Sequence, residues 1–179
     1  MNIKGIIFVV IFFINFSLSA DELDMSVLNK KIKQFSNENI SFNVSGNYRF
    51  AFACAYPNYL NPVSRSGNGD GVSIANKNGS VTLTCSGAPM LEETLSEGYA
   101  ESIRSLENKE GFEITYKVIK ENWYVISGIN RAKNNIFYFK VLKDKDWVTG
   151  YNELKFNLEY PLDDKNKLLP GQVKLFTNN

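Results

Sequence analysis

The side chains able to do chemistry in this 179-residue chain are few, and what is missing narrows the field first. Histidine is absent, which removes the usual general base near neutral pH and the commonest metal ligand. A serine nucleophile would have to rely on lysine, and no Gly-x-Ser-x-Gly elbow is present; Ser127 beside Gly128 reads as a strand end. No glycine-rich phosphate loop ending in Lys-Ser or Lys-Thr occurs. The carboxylate pairs Glu92-Glu93 and Asp163-Asp164 are adjacent in sequence, whereas acid and base work on a glycoside needs two carboxyls opposed across a substrate. Solvation, and for Asp163-Asp164 a favourable place near a helix start, account for them. Asn68-Gly69-Asp70-Gly71 gathers oxygen ligands as calcium loops do, but 62–66 lacks the earlier ligands of that template, so a hydrophilic turn is the expected role. No metal or cofactor is called for.

Two cysteines remain, Cys54 and Cys85. Their meaning depends on compartment, and the first twenty residues speak to that. Lys4 precedes an apolar run over 6–14, closed by the small residues Ser17, Ser19 and Ala20 ahead of Asp21. The run is short for a permanent bilayer span and has the layout of a cleaved export signal. Residues 1–20 are therefore expected to be removed, leaving about 160 residues for a single domain. In an oxidising space, here expected to be the periplasm, an even pair of cysteines predicts one disulfide; two buried thiols are the alternative. Behind the leader three Asn-x-Ser sequons, at Asn39, Asn43 and Asn78, need no more than chance in an Asn-rich chain.

Twenty Lys and Arg stand against nineteen Asp and Glu. Lys4 leaves with the leader, so the mature chain is formally neutral and nothing in its balance calls for nucleic acid or an anionic membrane. Its 44% hydrophobic content, with 13 Phe, 9 Tyr and 2 Trp, argues for a packed globule.

The elements that would position these groups follow from periodicity. Leu23, Val27, Leu28, Ile32 and Phe35 recur at helical spacing behind the leader, so 21–44 is expected to be a helix and arm. From Tyr48 to Tyr56 the period is two with both faces apolar, which predicts a strand buried on both sides. Residues 57–71 are rich in Pro, Asn, Ser and Gly and predict a long polar loop; a strand follows at 80–85. Thr94 and Glu97 have capping-box spacing, and Leu95, Tyr99, Ile103 and Leu106 extend a helix over 94–108. Then come four strands: one in which Phe112, Ile114, Tyr116 and Val118 share a face, one from Trp123, and those at 136–142 and 154–160. Pro161 stops the sheet, and a closing helix is expected around Pro170.

This order resembles the PsbP-like fold, an antiparallel sheet flanked by helices, named for the extrinsic photosystem protein and shared by small bacterial envelope proteins. The resemblance rests on Tyr48-Arg49-Phe50-Ala51-Phe52 leading to Tyr56-Pro57, on Asn68-Gly69-Asp70-Gly71 ahead of Asn78-Gly79-Ser80, on Trp123 to Gly128 with Ile136-Phe137-Tyr138, and on Leu158-Glu159-Tyr160-Pro161. It implies an α+β protein, an α/β/α sandwich, over 45–179. Proteins of that fold mostly serve as accessory or binding modules. The cysteine pair and the Pro-containing stretch 165–170 depart from the common pattern.

The resulting expectation is an exported, non-catalytic module that binds another envelope or secreted protein, as an inhibitor, immunity or accessory protein. A rigid sheet presenting an aromatic, Arg-containing loop suits such recognition, and Tyr59, Leu60, Arg65, Asn68 and Asp70 are the candidate contacts. A carboxylate-based hydrolase, and a carrier of a small apolar ligand between sheet and helix, are the alternatives.

Overall fold

The computed structural model describes residues 41–47, 49–50, 52–91, 94–146 and 150–164. The expected leader, the helix over 23–35, Glu92-Glu93 and the closing helix near Pro170 lie outside them.

Nine strands, one α-helix and a short 3-10 turn at Leu162–Asp164 are present among these residues. β1 (Phe42–Asn47) and β2 (Phe52–Pro57) form a hairpin. β3 (Asn61–Arg65), β4 (Gly71–Ala75), β5 (Thr82–Pro89), β6 (Phe112–Ile119), β7 (Trp123–Asn130), β8 (Asn135–Asp146) and β9 (Gly150–Pro161) form one seven-stranded sheet in the order β3-β4-β5-β9-β8-β7-β6. Every pairing is antiparallel. The helix α1 (Leu95–Glu107) joins β5 to β6.

Strand pleating assigns each side chain to a face. On one face Val72 and Ile74 stand opposite Cys85 and Leu83, which in turn stand opposite Phe156 and Leu158; Tyr138 and Leu142 continue the row across β8. The β1–β2 hairpin covers this face, adding Phe52, Cys54 and Tyr56 to a common core. All six β2 residues are buried, as two-sided apolar alternation predicts. Phe50 lies against Gly87, where any Cβ would fall within 2.4 Å of its ring, so only glycine lets the hairpin approach the sheet this closely.

The other face is covered by α1. Thr94 Oγ1 accepts from the Glu97 amide at 3.2 Å, and Glu97 Oε2 accepts from the Thr94 amide at 2.8 Å; this reciprocal cap starts the helix where its sequence signature lies. Leu95, Tyr99, Ile103 and Leu106 then pack on Tyr124, Ile126, Phe137 and Val141.

Several expectations need correction. The α/β/α sandwich is not what forms: among the described residues one helix covers one face and a β-hairpin the other, in a predominantly antiparallel β structure. Residues 57–71 are not a long loop, because β3 pairs with β4 across a short turn. β1 falls where an arm was expected. The stripe from Phe112 to Val118 is split by a bulge between Ile114 and Tyr116. Phe112 and Ile114 pack under the helix, whereas Tyr116 and Val118 pair with Ser127 and Val125 on the hairpin face; one inserted residue reverses which way the strand points.

Among the described residues one buried charge sits on the hairpin face. Lys140 is 2% exposed, between Val125 and Phe156 in register, with Nζ 4.9 Å from the Trp123 ring centre. Burial lowers its pKa to about 8, since the ammonium is disfavoured away from water. Burial also raises Tyr56, Tyr59, Tyr138 and Tyr160 above 10.0.

Cys54 and Cys85 are bonded, with Cα atoms 6.5 Å apart, and so tie β2 to β5. Both are wholly buried. Closing that 31-residue separation contributes about 3–4 kcal/mol through the unfolded chain. Urea titration of the Cys54→Ser, Cys85→Ser double variant is expected to show that loss; a change under about 1 kcal/mol would contradict it.

A second expectation concerns pH. Below pH 8 the folded chain carries a buried ammonium at a cost. From 8 to 10 the unfolded chain holds that proton more tightly, so unfolding free energy rises with pH, by roughly 2 kcal/mol. Above 10 the buried tyrosines reverse the slope, because the unfolded chain ionises first. Lys140→Met is expected to flatten the rise between pH 8 and 10, as read by denaturant midpoints at each pH.

Candidate functional site

β3 is one outer strand of the sheet, and all five of its residues are exposed. An open strand edge offers backbone donors and acceptors to another chain. Pro62 and a register shift between Pro62 and Ser64 restrict that edge, which blunts indiscriminate pairing.

The turn after β3 is built from its own side chains. Ser66 O accepts from the Gly69 amide at 3.1 Å, and Ser66 Oγ accepts from the Gly71 amide at 2.8 Å. Gly69 has φ 78°, a conformation glycine adopts without strain. The β1–β2 turn then holds this one in place. Arg49 Nη1 donates to Asn68 O at 2.9 Å and to Asp70 Oδ1 at 2.6 Å, and Asn47 Nδ2 donates to Gly69 O at 2.8 Å. Asn68 Nδ2 completes the set on Asp70 Oδ2. Two turns far apart in sequence are thus bolted together at one corner.

Between them lies a hollow of about 320 Å³, with Phe52 and Val72 as apolar lining and Asn47, Arg49 and Arg65 around it. Arg65 stands opposite Val72 in register, so its side chain leaves on the hairpin side. It is exposed and makes no ion pair among the described residues. Its charge reaches Tyr56, whose pKa it lowers against the larger effect of burial.

The five expected contacts therefore divide. Arg65 and Asn68 are exposed at this corner, and Asp70 is partly exposed and ion-paired to Arg49. Leu60 is fully buried in the core, and Tyr59 packs against that core with its hydroxyl buried and unpartnered among the described residues. Leu60 anchors the chain entering β3 and presents nothing outward, whereas Tyr59 stays partly exposed beside it. Spacing had placed both in a loop; the burial of Leu60 follows from β2 running straight into the core before it. Arg49 and Asn47 belong to the site and were missed, because no local signal joins residues some twenty positions apart. The Asp70 carboxylate is occupied by Arg49 and Asn68, and no group of three or more His, Cys, Asp or Glu among the described residues is placed to hold a metal.

No family model matches the chain, and no curated protein does. A solved structure, that of the Saccharomyces cerevisiae Ran-binding protein Mog1p, is similar to it at 11% identity and a TM-score of 0.49, over 74% of this chain and 87% of that one. At that level the likeness carries nothing about partner or activity. No helix of the described residues is long and apolar enough to cross a membrane.

The Arg49–Asp70 pair is half exposed, and such pairs contribute at most about 1 kcal/mol. Arg49→Ala is thus expected to leave global stability within about 1 kcal/mol while freeing the turn. Amide exchange at Gly69 and Gly71 should speed by about tenfold with β9 amides unchanged; equal protection in both proteins would show that Arg49 does not hold the turn.

Proposed function

We propose that this chain is an exported, non-catalytic protein-binding module, akin to the small PsbP-like envelope proteins it resembles, that acts on another envelope protein in the periplasm as an inhibitor, immunity or accessory protein. The observation that carries this reading is the corner just described: an exposed strand edge, a turn held rigid by Arg49 and Asn47, and Arg65 beside an apolar hollow. Rigid presentation lowers the ordering cost of association, and arginine is enriched where interfaces make their strongest contacts. The disulfide supports export, since such bonds persist in oxidising compartments. The contact set on this reading is Arg65 and Asn68 with β3, and Asp70 acts by holding Arg49.

Crosslinking in intact cells tests it. A discrete partner should be captured by the wild type and lost with Arg65→Glu, while Lys117→Glu, an exposed change on β6 at the opposite edge of the sheet, leaves capture intact. Capture indifferent to Arg65, or recovery of the chain from the cytosol with residues 1–20 attached, would refute the proposal.

A further inference from the structure

The opposite face of the sheet carries a second feature, independent of that corner. The apolar stripe of α1 rests on β6, β7 and β8, but the sheet continues beside it. There β9 points Glu153, Lys155, Asn157 and Glu159 into a groove of about 410 Å³, walled by Gly98, Ser102 and Ser105 of the helix. That volume lies within the range of small-ligand sites. In register, Phe137 and Phe139 flank Glu159 and Asn157 on one side. Thr82, Thr84 and Ser86 flank Glu159, Asn157 and Lys155 on the other. The groove floor thus grades from the aromatic residues of β8 to the ionic row of β9, with the β5 hydroxyls in the next strand beyond.

On β9 its charges are already neutralised in pairs, while Lys109 at the end of the helix lies over the Phe112 ring. Lys155 Nζ lies 2.5 Å from Glu153 Oε2, whose side chain is 5% exposed, and Lys133 Nζ lies 3.6 Å from Glu159 Oε2. On the helix wall Glu101 is paired with Arg104. A charged ligand seated on the β9 row would have to displace one of these partners, and leaving Glu153 unpaired in its buried place is strongly unfavourable. A neutral hydroxyl displaces nothing: it donates to a carboxylate while accepting from an ammonium or from the Asn157 amide. The partly exposed ring of Phe139 beside Asn157 offers an apolar surface to the C–H side of the same ligand.

We propose that this groove binds a neutral, hydroxyl-rich ring, a sugar residue, with Asn157, Lys155 and Glu159 as its polar contacts and Phe139 as its apolar one. Two probes test it on the 15N-labelled protein, N,N′-diacetylchitobiose and cellobiose, with free glutamate and lysine as charged controls. Saturable amide shifts at Gly98, Ser102, Asn157 and Glu159 are expected with at least one sugar. Asn157→Ala should weaken binding by about tenfold, the loss of one hydrogen-bonding side chain. Ser105→Trp, at an exposed helix position, should abolish binding by filling the groove while melting as the wild type does. No saturable shift in the groove with either sugar up to about 50 mM, shifts produced instead by glutamate or lysine, or unchanged affinity in both variants would each overturn the proposal.

Discussion

The pleat of the seven-stranded sheet governs everything else in this protein. Alternate residues on each strand must be kept from water on opposite sides, and two unlike elements do so. The β1–β2 hairpin closes over β4, β5, β9 and β8, and α1 closes over β6, β7 and β8. The hairpin is the more demanding cover: β2 is buried along its whole length, Phe50 needs the bare backbone of Gly87, and a disulfide joins Cys54 to Cys85 through the same interface. A one-residue slip in β5 would turn Leu83 and Cys85 away from the hairpin and bring Thr82 and Thr84 in, removing core and bridge together.

Both candidate surfaces are consequences of those two covers. Where the hairpin ends, its turn overhangs the edge of the sheet, and Arg49 and Asn47 reach across to the β3–β4 turn. Where the helix stops short of the sheet's width, the polar row of β9 remains beside it as a groove. The interior polar groups mark the same boundaries. Glu153, on the helix face, is paired with Lys155, and Lys140, on the hairpin face, relies on the Trp123 ring and a weakened hold on its proton.

Much of the strand and helix inventory was legible in local pattern. The capping box at Thr94 and Glu97, the stripe Leu95, Tyr99, Ile103 and Leu106, the alternation of Leu154, Phe156, Leu158 and Tyr160, and the cysteines on apolar faces all act over a few residues. What escaped has no local signature. β3 is polar enough to read as part of a loop over 57–71, and it becomes a strand because β4, itself paired to β5, offers it an edge. The bulge between Ile114 and Tyr116 is invisible in alternation, because an inserted residue leaves the apolar spacing unchanged while reversing the face.

By itself, then, the chain's composition and periodicity determined a histidine-free, packed globule, a well-capped helix and a cysteine pair set to face inward, since these depend on residue type and on neighbours two to four positions away, whereas the β-rich balance of the fold did not follow from them. The order of the strands, the hairpin in place of a second helical layer, the burial of Leu60, and the meeting of Arg49 with Asp70 were decided only in three dimensions. Each depends on which surfaces compete to cover a given face, and that competition is settled between segments whose separation in sequence carries no information about their distance in space.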